Sequence, residues 1–476
     1  MTRSVYSLSI RRKLAGLLFL AVTAFATDLS ANSASRPPAS AAIDLPAIVF
    51  VQASTVLGVS GTERFPSGSR MVLLEPNGRD KKPTVLTAEF YAAADPQVDF
   101  AGRHVLFAAQ KRPGEHWQIW EMDLHGNGSR QITKCESDCL RPAYLPADEI
   151  VYTSVETGSA PARSSLQVIG LDGSEGRPVT FGPGDWWLET VLRDGRILAS
   201  ANSPLADGSR SRLLYTLRPD GTGLESFRCE HEKQAKRGDA TELEDGTVVF
   251  TEGSGALAVV KRGGLQEERI GAAGIVYRSP NFVEGPSIMV ADKPASALHY
   301  ELAIISANGR GRTRTIYRDA LFDCVEPVAV RARPVPKKFW SNLTLSSSSG
   351  YFLSLDSSKS MDKVNTAATV RSVRVIAERG GVLGEVPVES DGSFYVQTPA
   401  NQPVRFVLLD EQGRVIREEQ SWVWTRPGEQ RGCTGCHGDK ARAPENRWPL
   451  ALKRKGPPAS LGSPTGETHM VNSDGH

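Results

Sequence analysis

The sequence lacks the charge pattern and the helical pattern that define several large functional classes. Its 56 basic and 54 acidic residues give a formal net charge of +2, and we find no long basic run and no basic helix with interleaved aromatic residues. Because nucleic-acid binding needs concentrated positive charge, this balance argues against nucleic acid as a partner. No helical periodicity of convincing length precedes residue 430, which leaves strands as the main expected element.

Long apolar runs are absent beyond the N-terminus. There, the basic residues 11–13 precede an apolar stretch at 14–26 that ends in the cleavage site Ala24-Phe25-Ala26, which is typical of a secretory signal peptide. The apolar stretch is too short to span a bilayer, and no Cys follows it to carry a lipid anchor. We therefore expect signal peptide 1–26 with cleavage near Ala26, a flexible linker at 27–43, and a periplasmic or otherwise exported protein without a transmembrane segment.

The strongest pattern that is present is a repeat. A strand rich in Val, Ile and Leu ends in a small turn six times, at Gly78, Gly126, Gly173, Gly221, Gly264 and Gly309. A second short strand recurs out of phase with the first. A period in the forties with several short strands per repeat is typical of β-propeller blades, because one blade cannot bury both of its faces alone. Residues 44–335 are therefore predicted to form a six-bladed β-propeller, with the strand at 47–52 closing the ring.

One position in each repeat is a candidate for the propeller axis. Just before the second strand comes a short approach segment, which carries Asp95, Asp138 and Cys139, Asp185, Asp239, Ser279, or Asp323 and Cys324. Equivalent positions of a propeller converge on its axis, so a ring of acids with a Cys could bind a metal there. In the alternative interpretation these Asp residues only cap turns.

The C-terminal third of the chain changes in character. Prolines and basic residues at 324–340 mark the end of the propeller, and short alternating strands follow at 351–425. This alternation predicts a small β-sandwich at 336–425, with strands that bury one face each. The remaining residues, 426–476, carry the motif Cys433-Thr434-Gly435-Cys436-His437.

A Cys-x-x-Cys-His motif in an exported protein is a specific signal for one covalent haem c. The thiols of Cys433 and Cys436 would bond the porphyrin, and His437 would be an axial ligand of the iron. A disulfide needs no His, and a structural zinc site needs further ligands at short spacing; both remain alternatives. Arg426 and Arg431 are predicted partners of the haem propionates, since guanidinium groups pair well with carboxylates.

Other residues bear on this site with less specificity. His469 or Met470 could complete the iron coordination, although the alternative is a disordered tail. Trp422 and Trp424 are predicted to pack the haem-bearing strand; the alternative is that they border the porphyrin. Outside the motif the sequence has Cys135, Cys139, Cys229 and Cys324, of which Cys135 and Cys139 are the expected local disulfide in an oxidising compartment.

The segments 62–123 and 421–452 resemble the family of the hydrazine synthase alpha subunit, and the repeat at 123–154 is similar to TolB-like propellers. The resemblance covers most of the mature chain. It implies an all-β fold with a six-bladed TolB-like β-propeller, a small β-sandwich and a short C-terminal c-type haem segment. It also implies that Cys324 is a zinc ligand close to the haem; the alternative for Cys324 is a disulfide.

Two departures from this family limit what the resemblance implies. The stretch after His437 lacks the Tyr that the family's enzymes can use, and the sequence given has no second haem domain after it. Hydrazine synthesis is therefore not expected. We expect a single-haem c-type cytochrome in electron transfer or in redox chemistry on a small substrate, with a redox protein or that substrate as its partner. The alternative is a propeller-based binding or scaffold protein whose haem is structural or sensory.

Overall fold

The computed structural model describes residues 45–56, 65–77, 82–156, 163–205, 208–227, 236–261, 264, 266–309, 313–359, 369–378, 380–435 and 446–462. The predicted signal peptide and linker, together with Gly78, Cys229, Cys436, His437, His469 and Met470, lie outside these residues. Residues Leu45–His476 form one compact unit. The described residues of this unit form eight four-stranded sheets.

Six of these sheets are the blades of a β-propeller. Blade 1 contains β1 (Ile48–Ala53), β2 (Arg70–Leu74), β3 (Thr84–Val85) and β24 (Asp323–Ala329); blade 2 contains β4 (Ala92–Val98), β5 (His104–Gln110), β6 (Gln118–Asp123) and β7 (Arg130–Gln131); blade 3 contains β8 (Asp138–Leu145), β9 (Glu149–Glu156), β10 (Arg163–Gly170) and β11 (Arg177–Pro178); blade 4 contains β12 (Asp185–Val191), β13 (Ile197–Pro204), β14 (Arg210–Leu217) and β15 (Glu225–Ser226); blade 5 contains β16 (Arg237–Glu242), β17 (Val248–Glu252), β18 (Leu257–Val260) and β19 (Glu267–Ile270); blade 6 contains β20 (Ile275–Glu284), β21 (Ser287–Pro294), β22 (Glu301–Ser306) and β23 (Arg314–Tyr317). The predicted all-β class and six blades are confirmed.

The ring is closed inside blade 1. Strand β1 pairs antiparallel with both β2 and β24, with Gln52 opposite Cys324. The innermost strands β4, β8, β12, β16, β20 and β24 each contact the next around the axis, and β24 contacts β4. The strand predicted at 47–52 therefore does close the ring. The last propeller strand, β24, is the innermost strand of blade 1.

The predicted hairpin turns have the positive φ angles that glycine adopts easily. Gly126, Gly173, Gly221 and Gly309 have φ between +68° and +88°, a region in which side chains are strained. At Gly173 a Cβ atom would also lie 2.9 Å from the carbonyl oxygen of Ile132 in the neighbouring blade. These turns therefore let adjacent blades approach closely, and the cores between blades fill with residues such as Phe107, Ile150 and Leu188.

The last two sheets form the predicted small β-sandwich. Its strands are β25 (Ser349–Ser354), β26 (Ser372–Ala377), β27 (Val382–Pro387), β28 (Phe394–Pro399), β29 (Val404–Leu409), β30 (Val415–Glu418), β31 (Gln430–Cys433) and β32 (Ala459–Ser460), with one short helix, α1 (Leu450–Lys453). The sheet orders are β31-β25-β28-β32 and β27-β26-β29-β30. The C-terminal segment after residue 425 therefore contributes both edge strands of one sheet. No described helix is long and apolar enough to cross a membrane.

Candidate functional site

Cys433 is the last residue of β31, at the edge of the sandwich. Strand β31 runs parallel to β25, with Cys433 opposite Ser354, and the N–H of Leu355 donates to the carbonyl of Cys433 at 2.9 Å. Cys433 is partly exposed and its thiol is in no disulfide. The structure thus fixes the first residue of the predicted haem motif on a regular strand, while Cys436 and His437 lie outside the described residues.

Two glycines within two residues of Cys433 have different surroundings. At Gly432 a Cβ atom would meet nothing within 4 Å. At Gly435 it would lie 2.8 Å from the carbonyl oxygen of Lys359 and 3.2 Å from that of Asp356. The motif segment therefore leaves β31 pressed against the Asp356–Lys359 turn, and only a residue without a side chain fits at position 435.

The predicted propionate partners Arg426 and Arg431 hold the sandwich against blade 4. Arg426 Nε donates to the carbonyl of Asp220 at 2.8 Å, and its Nη1 donates to Asn401 Oδ1 at 2.6 Å. Arg431 Nη1 donates to the carbonyl of Trp424 at 3.1 Å, and its Nη2 donates to the carbonyl of Leu224. Both guanidinium groups thus have protein partners at this interface, and their pairing with propionates stays a prediction.

Trp424 packs into the same interface. Its Nε1 donates to the carbonyl of Gly221 at 3.1 Å, and its ring lies 5.8 Å from that of Phe181 and 5.4 Å from that of Trp186, measured between centroids. Trp424 therefore anchors the segment that leads into β31.

A cluster that sequence analysis missed lies behind Cys433. The carboxyl group of Glu419 is buried near Arg405 and Arg431, and burial raises its pKa to about 7. Burial also raises the pKa of the Cys433 thiol, with Arg431 acting to lower it and Glu419 acting to raise it. Arg405 stacks over the ring of Trp422 at 4.4 Å. Alternating charged residues on a strand normally predict a face that is exposed to solvent. The sequence therefore does not indicate that blade 4 covers this face of the sandwich.

The residues that line the propeller axis differ in part from the predicted ones. Each innermost strand has an irregular register at its middle, and five of the residues there have positive φ: Asp95, Arg141, Asp239, Ser279 and Glu326. These residues and Glu189 line an axial cavity of about 130 Å³. Asp95, Asp239 and Ser279 therefore converge as predicted.

The prediction was wrong for Asp138, Asp185 and Asp323, because the bulge comes three or four residues after them. They begin strands instead. Asp138 Oδ1 accepts from the N–H of Trp117, and Asp323 Oδ1 accepts from that of Tyr300, both at 2.9 Å. Two of them thus bind the backbone of the preceding blade, which differs from the turn caps of the alternative interpretation.

The axial carboxylates bind the backbone of the next blade. Glu326 accepts from the N–H of Asp95 at 2.8 Å, and Asp95 accepts from that of Arg141 at 3.0 Å. In the same way, Glu189 accepts from Ala240 at 3.1 Å and Asp239 accepts from Ser279 at 3.4 Å. Among the described residues no group of three or more His, Cys, Asp or Glu side chains is arranged to hold a metal ion. The axial acids therefore join blades.

The described cysteines of the propeller differ in their bonding. Cys135 and Cys139 form a disulfide, which confirms the predicted local pair. Cys324 is free and fully buried on β24, and burial raises the pKa of its thiol to about 12. Its role as a zinc ligand stays a prediction.

Comparison with known proteins identifies the sandwich. Residues 353–438 match the family model described as the hydrazine synthase alpha subunit middle domain. Hydrazine synthase subunit alpha of Kuenenia stuttgartiensis is 40% identical over 86 residues, which are 18% of this chain and 10% of that relative. The matched part thus spans about a tenth of the curated relative's length.

The fold is similar to solved structures over a longer range. Kuenenia stuttgartiensis hydrazine synthase matches 86% of this chain and 71% of that chain, with a TM-score of 0.75 and 21% identity. TolB from Acinetobacter baumannii matches 62% of this chain and 68% of that chain, with a TM-score of 0.46 and 15% identity. The chain is thus similar in sequence to the hydrazine synthase alpha subunit middle domain at 353–438, and similar in fold to hydrazine synthase over most of its length.

Proposed function

We propose that this protein is an exported single-haem c-type cytochrome. The haem would be bonded to Cys433 and Cys436, with His437 as an axial ligand of the iron. The observation that carries the proposal is that Cys433, a free thiol at the end of an edge strand, is followed by Cys436 and His437 within the matched middle domain, which ends at residue 438.

The residues around Cys433 fit such a group. A thioether bond requires a reduced thiol, and Cys433 is in no disulfide. Burial raises the pKa of this thiol, and the charged groups of Arg431 and Glu419 act on it. The position next to it, Gly432, has open space on its side-chain face. When bound, the haem supplies a one-electron redox centre; the chain supplies the attachment, the axial nitrogen and a partly dry interface.

The role proposed for this centre is electron transfer to a redox partner or redox chemistry on a small substrate. The activity named for the Kuenenia stuttgartiensis relative is not transferred, because the sequence match spans 10% of that relative. The residues after His437, which read Gly438-Asp439-Lys440-Ala441-Arg442, also lack the Tyr that the family's enzymes can use.

Covalent haem attachment is the direct test of the proposal. The full chain is expressed with a cytochrome c maturation system, and the denatured protein is separated on a gel and stained for haem. We expect a stained band at the size of the chain that disappears in Cys433→Ser/Cys436→Ser.

A second double variant controls for loss of thiols elsewhere. Cys135→Ser/Cys139→Ser removes the propeller disulfide and should keep the stain. A stained band in Cys433→Ser/Cys436→Ser, or an unstained parent protein in a strain that matures other c-type cytochromes, would refute the proposal.

A further inference from the structure

A basic surface lies on the sandwich after the haem motif. The described segment 446–462 holds four basic residues and no acidic residue. Lys453, Arg454 and Lys455 follow one another and are all exposed. Glu389 Oε1 lies 3.8 Å from Arg454 Nη1, but the Glu389 side chain is 30% exposed whereas that of Arg454 is 54% exposed. The positive charge therefore faces the solvent more than the negative charge does.

Apolar groups and a cavity belong to the same surface. Trp448 is 66% exposed, and Leu452 is exposed as well. A cavity of about 230 Å³ is lined by apolar side chains and by two cations of the basic run, among them Tyr395, Leu452, Pro457, Arg454 and Lys455. Protein interfaces are enriched in Trp, Tyr and Arg, and a few side chains that fill pockets supply most of the affinity. This surface therefore has the composition of a docking site.

The basic segment and the haem motif contact the same turn. At Gly435 a Cβ atom would lie 3.2 Å from the carbonyl oxygen of Asp356. Arg447 Nη2 lies 3.2 Å from Oδ2 of the same Asp356, and it donates to the carbonyl of Asp391 at 2.8 Å. The N–H of Leu450, the first residue of α1, donates to Asp391 Oδ2 at 2.9 Å. These contacts place the basic segment beside the segment that would carry the haem.

We propose that residues 447–458 form the docking surface for an electron-transfer protein whose own surface is acidic. This inference rests on the proposed function. Lys453 and Lys455 would steer an acidic partner toward the side of the molecule on which the haem is attached, and the cavity would receive one of its side chains. An anionic membrane also attracts basic surfaces. However, α1 spans only Leu450–Lys453 and has no extended apolar face such as an interfacial helix presents.

Reduction of the haem by an acidic carrier tests the proposal. The probe is reduced plant-type ferredoxin, an acidic protein of low potential; its cluster loses one electron and the ferric haem of the full chain gains it. Lys453→Glu/Lys455→Glu reverses two surface charges, so we expect the second-order rate constant in stopped flow to fall at least about tenfold at low salt. At high salt the difference from the parent should largely vanish, because screening weakens both interactions. Haem staining and melting temperature should match those of the parent.

Lys82→Glu/Lys261→Glu is the matched control, because it makes the same charge change at two exposed residues of the propeller. Its rate constant should stay within about twofold of the parental value. Equal rate constants for the two double variants, with the parent stained for haem, would overturn the docking surface and leave the proposed function standing. Salt-sensitive binding to phosphatidylglycerol vesicles that only Lys453→Glu/Lys455→Glu loses, with its ferredoxin rate unchanged, would assign the surface to a membrane instead. An unstained parent would overturn both proposals.

Discussion

At the scale of single residues, packing requires a glycine at position 435, which is a variable position of the Cys-x-x-Cys-His motif. Gly435 sits where a Cβ atom would lie 2.8 Å from the backbone of Lys359, whereas Gly432 faces open space. Closely packed backbone cannot yield as a flexible side chain can. The path of the chain from Cys433 to Gly435 is therefore set by contact with the turn that follows β25.

Gly435→Ala should accordingly displace the motif segment. We expect the free energy of unfolding to fall by about 1 to 3 kcal/mol through overpacking, and the yield of haem-stained protein to fall with it. Gly462→Ala, where a Cβ atom would meet nothing within 4 Å, is the control and should change neither quantity appreciably. Thermal unfolding and haem staining of both variants measure the difference, and equal behaviour of the two variants would show that the contact at Gly435 is unimportant.

At the residue scale, the sequence predicts the motif but not the buried charged residues around it. The motif is recognisable from types and spacing alone, because attachment chemistry needs two thiols and an adjacent imidazole. Arg405 and Glu419 carry no such pattern, since their burial follows from the docking of blade 4 on a sheet face that alternation marks as solvated. Arg426 and Arg431 were predicted from the sequence as propionate partners, which stays a prediction, and their contacts with propeller carbonyls depend on a tertiary interface that the sequence does not show.

At the scale of elements, the inner strands explain the partial success of the axis prediction. The repeat spacing predicted the blades correctly, because turns and strands recur at regular intervals along the sequence. The bulge within each inner strand shifts the axial position past the approach segment, so that Arg141, Glu189 and Glu326 reach the axis. A bulge depends on positive φ at residues such as Asp95 and Glu326, which neighbouring blades stabilise and periodicity does not reveal.

Arg141 links three blades at this level. Its Nη2 lies 3.0 Å from Asp239 Oδ1 and its Nη1 lies 3.4 Å from Glu189 Oε2, with its side chain only 12% exposed. Arg141→Met would remove the positive charge that contacts both buried carboxylates, so we expect a loss of about 3 to 5 kcal/mol in the free energy of unfolding.

Arg269→Met is the control for the change of residue type. Arg269 lies 2.8 Å from Glu252 but its side chain is 74% exposed, so its loss should cost at most about 1 kcal/mol. Chemical denaturation of both variants provides the comparison. Equal losses would mean that the axial ion pairs contribute no more than a surface pair.

At the scale of the whole molecule, one short segment of the sandwich makes several hydrogen bonds to blade 4. Trp424, Arg426 and Arg431 all bind carbonyls in the turn at residues 220–224, and the N–H of Gly223 donates to Glu429 at 2.9 Å. The same segment leads directly into β31 and Cys433. The proposed haem would therefore lie at the junction of two domains, and its environment depends on their docking as much as on the motif.

Trp424→Ala tests this dependence, because the residue is 1% exposed and fills the junction between Phe181 and Trp186. The cavity should cost about 3 to 5 kcal/mol, and with the domains less tightly coupled the single unfolding transition should separate into two. Trp448→Ala removes an equal side chain that is 66% exposed, and should shift stability by no more than about 0.5 kcal/mol. Scanning calorimetry of the haem-free proteins gives both results. If Trp424→Ala unfolds in one transition at the parent temperature, the junction is not what holds β31 in place, and the local contacts of β25 alone must position Cys433.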